Sequence, residues 1–469
     1  MIFVALFALS FATLDGGVAD SGPSDADAGF DAGPVVYPMP PGFARLNVVE
    51  DCGLIPNDGL SDGPAFLTCQ AELVALGGGE LYFPCGVYDS DDQPSGTGTY
   101  GYYGFPIDSG VKLVGERQSC TILSSSSASL SNRVVGTAWV GNRPVVDSGI
   151  FNMTLMGARS ACVVGVYQAH GVFVINATRF EIVNVTASNV TGDGFYFSHN
   201  NQDLSYDGLT AVDFCRNAAT ANSGALAPTS TGLRIRNLVS VPAPDAPFGY
   251  DFDAESGIND LELSNSDMMV VHLGGVFGGN IHDNVIRVNL IGYVGADVRV
   301  HHNRFLDEGN RGAINCDHCG RYQIEDNTFA CGSGGGGGNG TCIYLNNTFG
   351  DDTGSSVSRN IFTCHTPPCR TPLLRINAGD HFTMNGNKVL GPGWTEGFLN
   401  DNTGSAMAIG NIVEATTSCF VMAATDGLHG PFTATLNRYV GCDHGVKLGI
   451  YPGYTQKFPA FLNMNEGNP

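Results

Sequence analysis

A short phrase recurs from about residue 145 onward, an Asn closely followed by an apolar residue, as in "NSDM", "DNVI", "HNRF", "DNTF", "RNIF", "GNKV", "GNIV" and "LNRYV". The repeated residues are Asn265, Asn284, Asn303, Asn327, Asn360, Asn387, Asn411 and Asn437, at spacings of 19, 19, 24, 33, 27, 24 and 26. Looser members lie around Asn152, Asn184, Asn217 and Asn237. Self-similarity at such a period marks a stacked array, because a unit of about twenty residues cannot bury its apolar side alone. Within each unit the apolar residues alternate over short runs, which is strand patterning, and helical periodicity is nearly absent. One strand-rich rung, repeated with insertions of variable length, reads as an all-β parallel β-helix. The Asn series is read as architecture. Asn tolerates left-handed corners, and its amide can bond to its counterparts in neighbouring rungs.

Composition agrees. Charged residues are 14% of the chain, well below the usual quarter, and 64 Gly point to abundant turns. The net charge of −23, from 45 acidic and 22 basic residues, repels nucleic acid and anionic membranes. A polyanionic ligand would therefore need bridging cations or a local basic patch.

The ends and the cysteines bear on compartment. "MIFVALFALSFATL", residues 1–14, reads as a signal peptide: it is apolar but shorter than the ~20 residues that span a bilayer. Residues 15–41, rich in Asp, Ala, Gly and Pro, form a linker that cannot build a core. No later stretch is long and apolar enough to span a membrane. Fourteen cysteines, an even number, fit an oxidising compartment. Cys316/Cys319, Cys331/Cys342 and Cys364/Cys369 are close enough to be local pairs, and the alternative for "CDHC" is a zinc ligand set. The expected location is secreted or at the cell surface.

At the front of the array, residues 47–90 read "NVVEDCGLIPNDGLSDGPAFLTCQAELVALGGGELYFPCGVYDS", followed by "VKLVGERQSCTIL". This stretch resembles the opening of pectate-lyase-superfamily proteins. Asp58-Gly59 and Ser61-Asp62 precede a short helix, Gly77 to Gly79 follow it, and "LYFPCGVY" stands where "YFPPGTY" is usual. The resemblance implies a right-handed single-stranded parallel β-helix (solenoid) with an N-terminal capping helix. It also implies lyase, hydrolase or epimerase activity on polysaccharides, or a tailspike or adhesin role. The segment "DGPAFLTCQAELVAL" has an N-cap Asp and helical apolar spacing, and such a helix would cover the open end of the stack. The expected domain is 42–469, with the cap at 47–90 and repeats over about 105–450. Residues 248–255, "FGYDFDAE", are also similar to a "YGFDPHE"-like strand of alginate epimerases. Asp251 falls on the shared Asp, while Asp253 replaces the motif's His and Phe248 its Tyr.

The strands "GYDFD", "VVHL", "GYVG", "AINCD", "CIYLN" and "LLRIN" then stack in that order. With apolar alternates inside, one outward stripe holds Asp251, Asp253, His272, Tyr293, Asn315, Asp317, Tyr344, Asn346 and Arg375. Six rungs span roughly 25 Å, enough for several sugar rings. Outward carboxylates at i and i+2 lie about 6.5 to 7 Å apart along a strand, near the lower limit used by inverting glycosidases. Asp251 and Asp253 are the expected acid and base, and His272 would share or tune the proton work. Tyr293, Asn315, Asp317, Tyr344 and Arg375 are the expected substrate contacts, with phenol faces for sugar rings and a guanidinium for a carboxylate or sulfate. The plain alternative is a solvated strand face.

The leading expectation is a secreted glycoside hydrolase whose partner is a polysaccharide. The alternatives are a lyase or C5-epimerase acting on a uronate polymer, and a glycan-binding or adhesin protein without catalysis. No cofactor is required. Calcium held by Glu255 with Asp251 and Asp253 is the possible ion, and it would serve the lyase or epimerase reading. Oligomeric state stays open between monomer and trimer.

Overall fold

The computed structural model describes most of residues 43–449, together with 462–466. The leader, the linker, Phe248 and the glycine run at 333–340 lie outside the described residues. The chain divides into two compact units, Met1–Gly33 and Pro34–Pro469, and every described residue belongs to the second.

Strands dominate, and they are short because turn residues interrupt each alternating run. One coil consists of Ile314–Gly320, Gln323–Glu325 and Thr328–Cys331. The next consists of Ile343–Asn346, Ser356–Ser358 and Ile361–Cys364. Each strand pairs in parallel with its counterpart one coil on. The same relation links successive coils from Ala44 to Glu466. Among the described pairings only Gln93–Pro94 with Tyr102–Ile107 is antiparallel. The protein is a parallel β-helix, as the repeat predicts.

The lumen is filled by columns of like residues. Ile281, Val300, Ile324, Val357, Met384, Ala408 and Ala434 follow one another in register, all buried. Phe305, Phe329 and Phe362 stack with ring centroids 4.7 and 4.8 Å apart. Each Val, Ile, Met or Phe in these columns contributes about 1.5–3 kcal/mol through burial, and the ring stacking adds to it.

The Asn series forms a continuous side-chain ladder. The amides of Asn284, Asn303, Asn327, Asn360, Asn387 and Asn411 each donate to the Oδ1 of the next member, ending at Asn437, over 2.9–3.1 Å. The expected left-handed corner, however, falls one residue earlier in these coils. Asp283, His302, Asp326 and Arg359 have φ of 55–57°, which leaves the Asn side chain pointing inward to its neighbours. Asn265 differs again: it occupies the left-handed corner itself, at φ 53°, and Ser266 takes the ladder place, its N–H donating to Asn284 Oδ1.

The capping helix runs over Gly63–Ala75 and buries Phe66, Cys69, Gln70 and Leu73, the face that its spacing predicts. Phe66 rests edge-on against Phe105, with centroids 5.2 Å apart. Asp62 stands at the N-cap position, but its carboxylate accepts the Ile55 N–H instead of capping the helix. Gly79 has φ 154°, and a Cβ there would lie 2.1 Å from the Ala44 carbonyl oxygen, so the strand entering the first coil requires glycine.

All fourteen cysteines form disulfides. Cys316–Cys319, Cys331–Cys342 and Cys364–Cys369 pair locally, so "CDHC" holds a disulfide in place of a zinc ligand set. The other bridges are Cys52–Cys69, Cys85–Cys120, Cys162–Cys215 and Cys419–Cys442. No helix among the described residues is long and apolar enough to cross a membrane.

Candidate active site

The strand Phe252–Ser256 sends Phe252 and Ala254 into the core, so Asp253 and Glu255 point to the outer side, where neighbouring side chains leave Asp253 only 5% exposed and Glu255 half-buried. In the next coil His272 lies directly beside Asp253. The column then continues through Ile291, Asn315, Tyr344 and Arg375. Asp253 and Arg375 are thus five steps apart on one flank, about 24 Å. Tyr293 is on the same side, two residues further along its strand, where it pairs with Asp317 and then Asn346. The expected single stripe is therefore two adjacent columns. Ile291 and Tyr293 share an outward parity, and parity alone does not tell which of them stands beside His272.

Asp251 departs from expectation. It precedes the strand at a corner, is only 5% exposed, and gives its carboxylate to the backbone N–H groups of Met269 and Val270 in the following coil. Burial raises its pKa above the ordinary value, and those N–H bonds act against the rise. The free amides at this corner need an acceptor, and Asp251 supplies it. The acids expected to hold calcium are likewise committed separately. Asp251 binds amides, Asp253 binds His272 and Asn217, and Glu255 binds Arg216 and Asn222. Among the described residues no three His, Cys, Asp or Glu groups are placed to hold a metal ion.

What the fold assembles instead is a polar cluster on the outer wall. Asp253 Oδ1 meets His272 Nδ1 at 2.6 Å, and Asp253 Oδ2 accepts from Asn217 Nδ2 at 3.1 Å. The His272 ring stacks on Tyr250 with centroids 4.9 Å apart. Glu255, with 30% of its side chain exposed, pairs with the Arg216 guanidinium. Burial raises the Glu255 pKa, Arg216 opposes the rise, and the nearby Asp253 charge adds to it. Behind Arg216 lies Asp193, fully buried, 3.3 Å from Arg216 Nε. Burial pushes Asp193 up to about 7, Arg216 acting against it and Glu255 with it. Tyr196 lies under Arg216 and accepts from Asn222 Nδ2 through its hydroxyl. Burial raises its pKa to about 12. His170 stacks on Tyr196 and accepts the Asp193 N–H through Nδ1; burial, then Arg133 and Arg216, hold it far below its ordinary pKa and so neutral.

Away from this cluster, Tyr293 is 49% exposed and meets His318 edge-on. Asp317 accepts from Asn346 Nδ2 at 2.6 Å, and the Arg375 guanidinium lies 5.9 Å from the Tyr344 ring centre. Asp193, Tyr196, Arg216 and Asn222 carry no signal in the repeat, and Asn217 is marked by it only as a looser architectural Asn. They sit in the coils preceding Phe252–Ser256, where the Asn phrase is loosest. The available signal was the column itself, since Tyr196 and Thr220 occupy the places before Asp253.

The coil stack and its capping helix define a parallel β-helix protein. No protein-family model matches the chain, and no curated protein matches it. Among solved structures it is similar to the A-module of the Azotobacter vinelandii mannuronan C-5 epimerase AlgE4, at 13% identity and TM-score 0.38, covering 90% of this chain and 100% of that one. It is also similar to PfbA, a surface adhesin of Streptococcus pneumoniae, at 13% identity and TM-score 0.48, covering 86% and 93%. The tailspike protein of E. coli bacteriophage HK620 matches at 10% identity and TM-score 0.48, covering 84% and 75%. Likeness at this level concerns the path of the backbone and not the chemistry.

Proposed function

We propose that the protein is a polysaccharide hydrolase working outside the cell, with Glu255 as general acid and Asp253, oriented by His272, as general base. The observation that carries this reading is the position of Asp253 and Glu255 at i and i+2 on one outward strand face. Two such carboxyls are about 6.5 to 7 Å apart, room for the water of an inverting displacement. Their partners differ as the roles require. Partial burial favours the protonated form of Glu255, suiting an acid. Asp253 takes its hydrogen bonds from an imidazole and an amide, suiting a group that stays ready to accept. Tyr293, Asn315, Asp317, Tyr344 and Arg375 extend the face as sugar subsites. The seven disulfides support an extracellular setting.

The Asp253–His272 contact also supports a second reading, a lyase or epimerase in which His272 removes the proton beside a uronate carboxylate and Arg216 or Arg375 receives that carboxylate. Digestion of a glycan panel, with and without a chelator, separates the readings. A hydrolase yields new reducing ends without ultraviolet absorbance, and a lyase yields unsaturated, absorbing ends. Retention of glycan with no product of either kind and with uronate configuration unchanged by proton NMR identifies a binding protein and overturns both.

A further inference from the structure

On a flank away from this site, three imidazoles gather where the coils turn. His282 and His301 are in register on adjacent coils, their rings stacked with centroids 5.0 Å apart and planes within 6°. His302 follows directly. Neighbouring side chains on a strand point apart, but His302 occupies the left-handed corner at φ 55°, which swings its ring back toward His301. The two Nδ1 atoms end 2.8 Å apart. His301 Nε2 lies 2.8 Å from Asn280 Oδ1. A carbonyl oxygen only accepts, so Nε2 carries the hydrogen and, in the neutral ring, Nδ1 of His301 presents its lone pair to His302.

We propose that His301 and His302 form a chelating site for a tetragonal divalent transition metal, cupric ion foremost. Imidazole nitrogens bind such ions at about 2.0 Å. Two nitrogens at adjacent corners of a square then sit about 2.8 Å apart, whereas a tetrahedral ion asks for about 3.3 Å. The observed separation matches the square arrangement and is also that of a ring N–H···N hydrogen bond, so an ion would bind by displacing to water the proton that the two rings share. Asn280 supplies the outer hydrogen bond that fixes a ligating imidazole in tautomer and orientation, and the stacked His282 ring fixes its plane. Asp283 and Asp326 hold the same corner position one coil before and one coil after, each directly preceding a ladder Asn, about 4.8 Å away along the stack. Their own partners are His282 and Arg359, so they supply negative field and leave the remaining coordination positions to water.

The test is titration of the chelator-treated full chain with cupric ion in a glycine buffer that suppresses weak sites, read by electron paramagnetic resonance. The expected result is a single ion per chain with nitrogen hyperfine structure from two imidazoles. His302→Asn, which keeps a residue tolerant of the left-handed corner, and His301→Gln should each weaken binding about 10- to 100-fold or more. His381→Asn, at a different corner, should leave it unchanged. No binding by the wild type, or a spectrum and affinity unchanged in both variants, means that the two rings share only a proton, and the proposal falls.

Discussion

The carboxylate of Asp253 meets Nδ1 of His272 at 2.6 Å although 19 residues separate them in the chain. Parallel register makes them neighbours, and the stacked Tyr250 ring holds the imidazole in place. Replacing Asp253 by Asn keeps the shape but turns one of its two acceptor oxygens into a donor, so the hydrogen bond to either His272 or Asn217 is lost. The expected outcome is a loss of about 10²- to 10⁴-fold in kcat on the glycan that proves to be the substrate. Because the two residues act as a unit, the double variant with His272→Gln should be little worse than the worse single variant. Activity within a few-fold of wild type for Asp253→Asn would remove it from the mechanism.

Glu255→Gln removes the proposed acid. Its effect should depend on the leaving group. Natural glycan, whose departing alkoxide needs a proton, should lose about 10²- to 10⁴-fold in rate. An aryl glycoside with a good leaving group should lose far less. Equal losses on both substrates would show that Glu255 does not protonate the leaving oxygen.

Asp193 binds its proton more tightly in the folded chain, at about 7, than at its ordinary value of 3.8. Between these values the folded state carries more protons, so this group's contribution to stability is full below about pH 4 and is lost as pH rises through about 7. Asp193→Asn retains an acceptor for the Asn217 N–H and cannot titrate. Urea midpoints measured across that window should fall with rising pH more steeply for wild type than for the variant. Parallel slopes would contradict the assignment.

The ladder predicts a large cost at its middle. Asn360 is fully buried; its amide donates to Ile324 O and Asn387 Oδ1, and its Oδ1 accepts from the backbone and side-chain amides of Asn327. Asn360→Ala orphans several of these groups and should destabilise the fold by about 3–5 kcal/mol. Asn360→Asp should do no better, since it sets oxygen against Asn387 Oδ1. Both are checked by thermal or denaturant unfolding.

Asn152, Asn184 and Asn189 each begin an Asn-x-Thr triplet, the acceptor pattern for N-glycosylation, and all three side chains are engaged within the structure. Asn184 Nδ2 donates to Asn152 Oδ1, Asn189 Nδ2 donates to the Gly157 carbonyl, and Asn152 is 3% exposed. Expression in a glycosylating host should leave all three unmodified, as intact-peptide mass spectrometry would show.

Fold was legible because a β-helix repeats its own reasons. Each alternating run, each corner and each Asn states the same unit again, so the stacking order of the strands could be read from the sequence. The flank holding Asp253, His272 and Arg375 followed from parity. Column assignment did not, because shifting by two keeps every side chain outward, as Ile291 and Tyr293 show. Burial on the outer wall was invisible too. Asp251 and Asp193 point away from the lumen, yet corner amides and neighbouring side chains enclose them. A two-state division of strand residues into core and solvent has no place for a carboxylate outside the lumen and away from water.

Sequence distances of 19, 24, 33, 27, 24 and 26 separate ladder partners that touch equally well. Contour length is thus decoupled from vertical advance: every turn climbs one storey whatever detour it makes on the way. Excision of a complete circuit between two equivalent Asn residues would shorten the column by a single floor and rejoin amide to amide. This scaffold can therefore gain or shed decoration without renegotiating its spine.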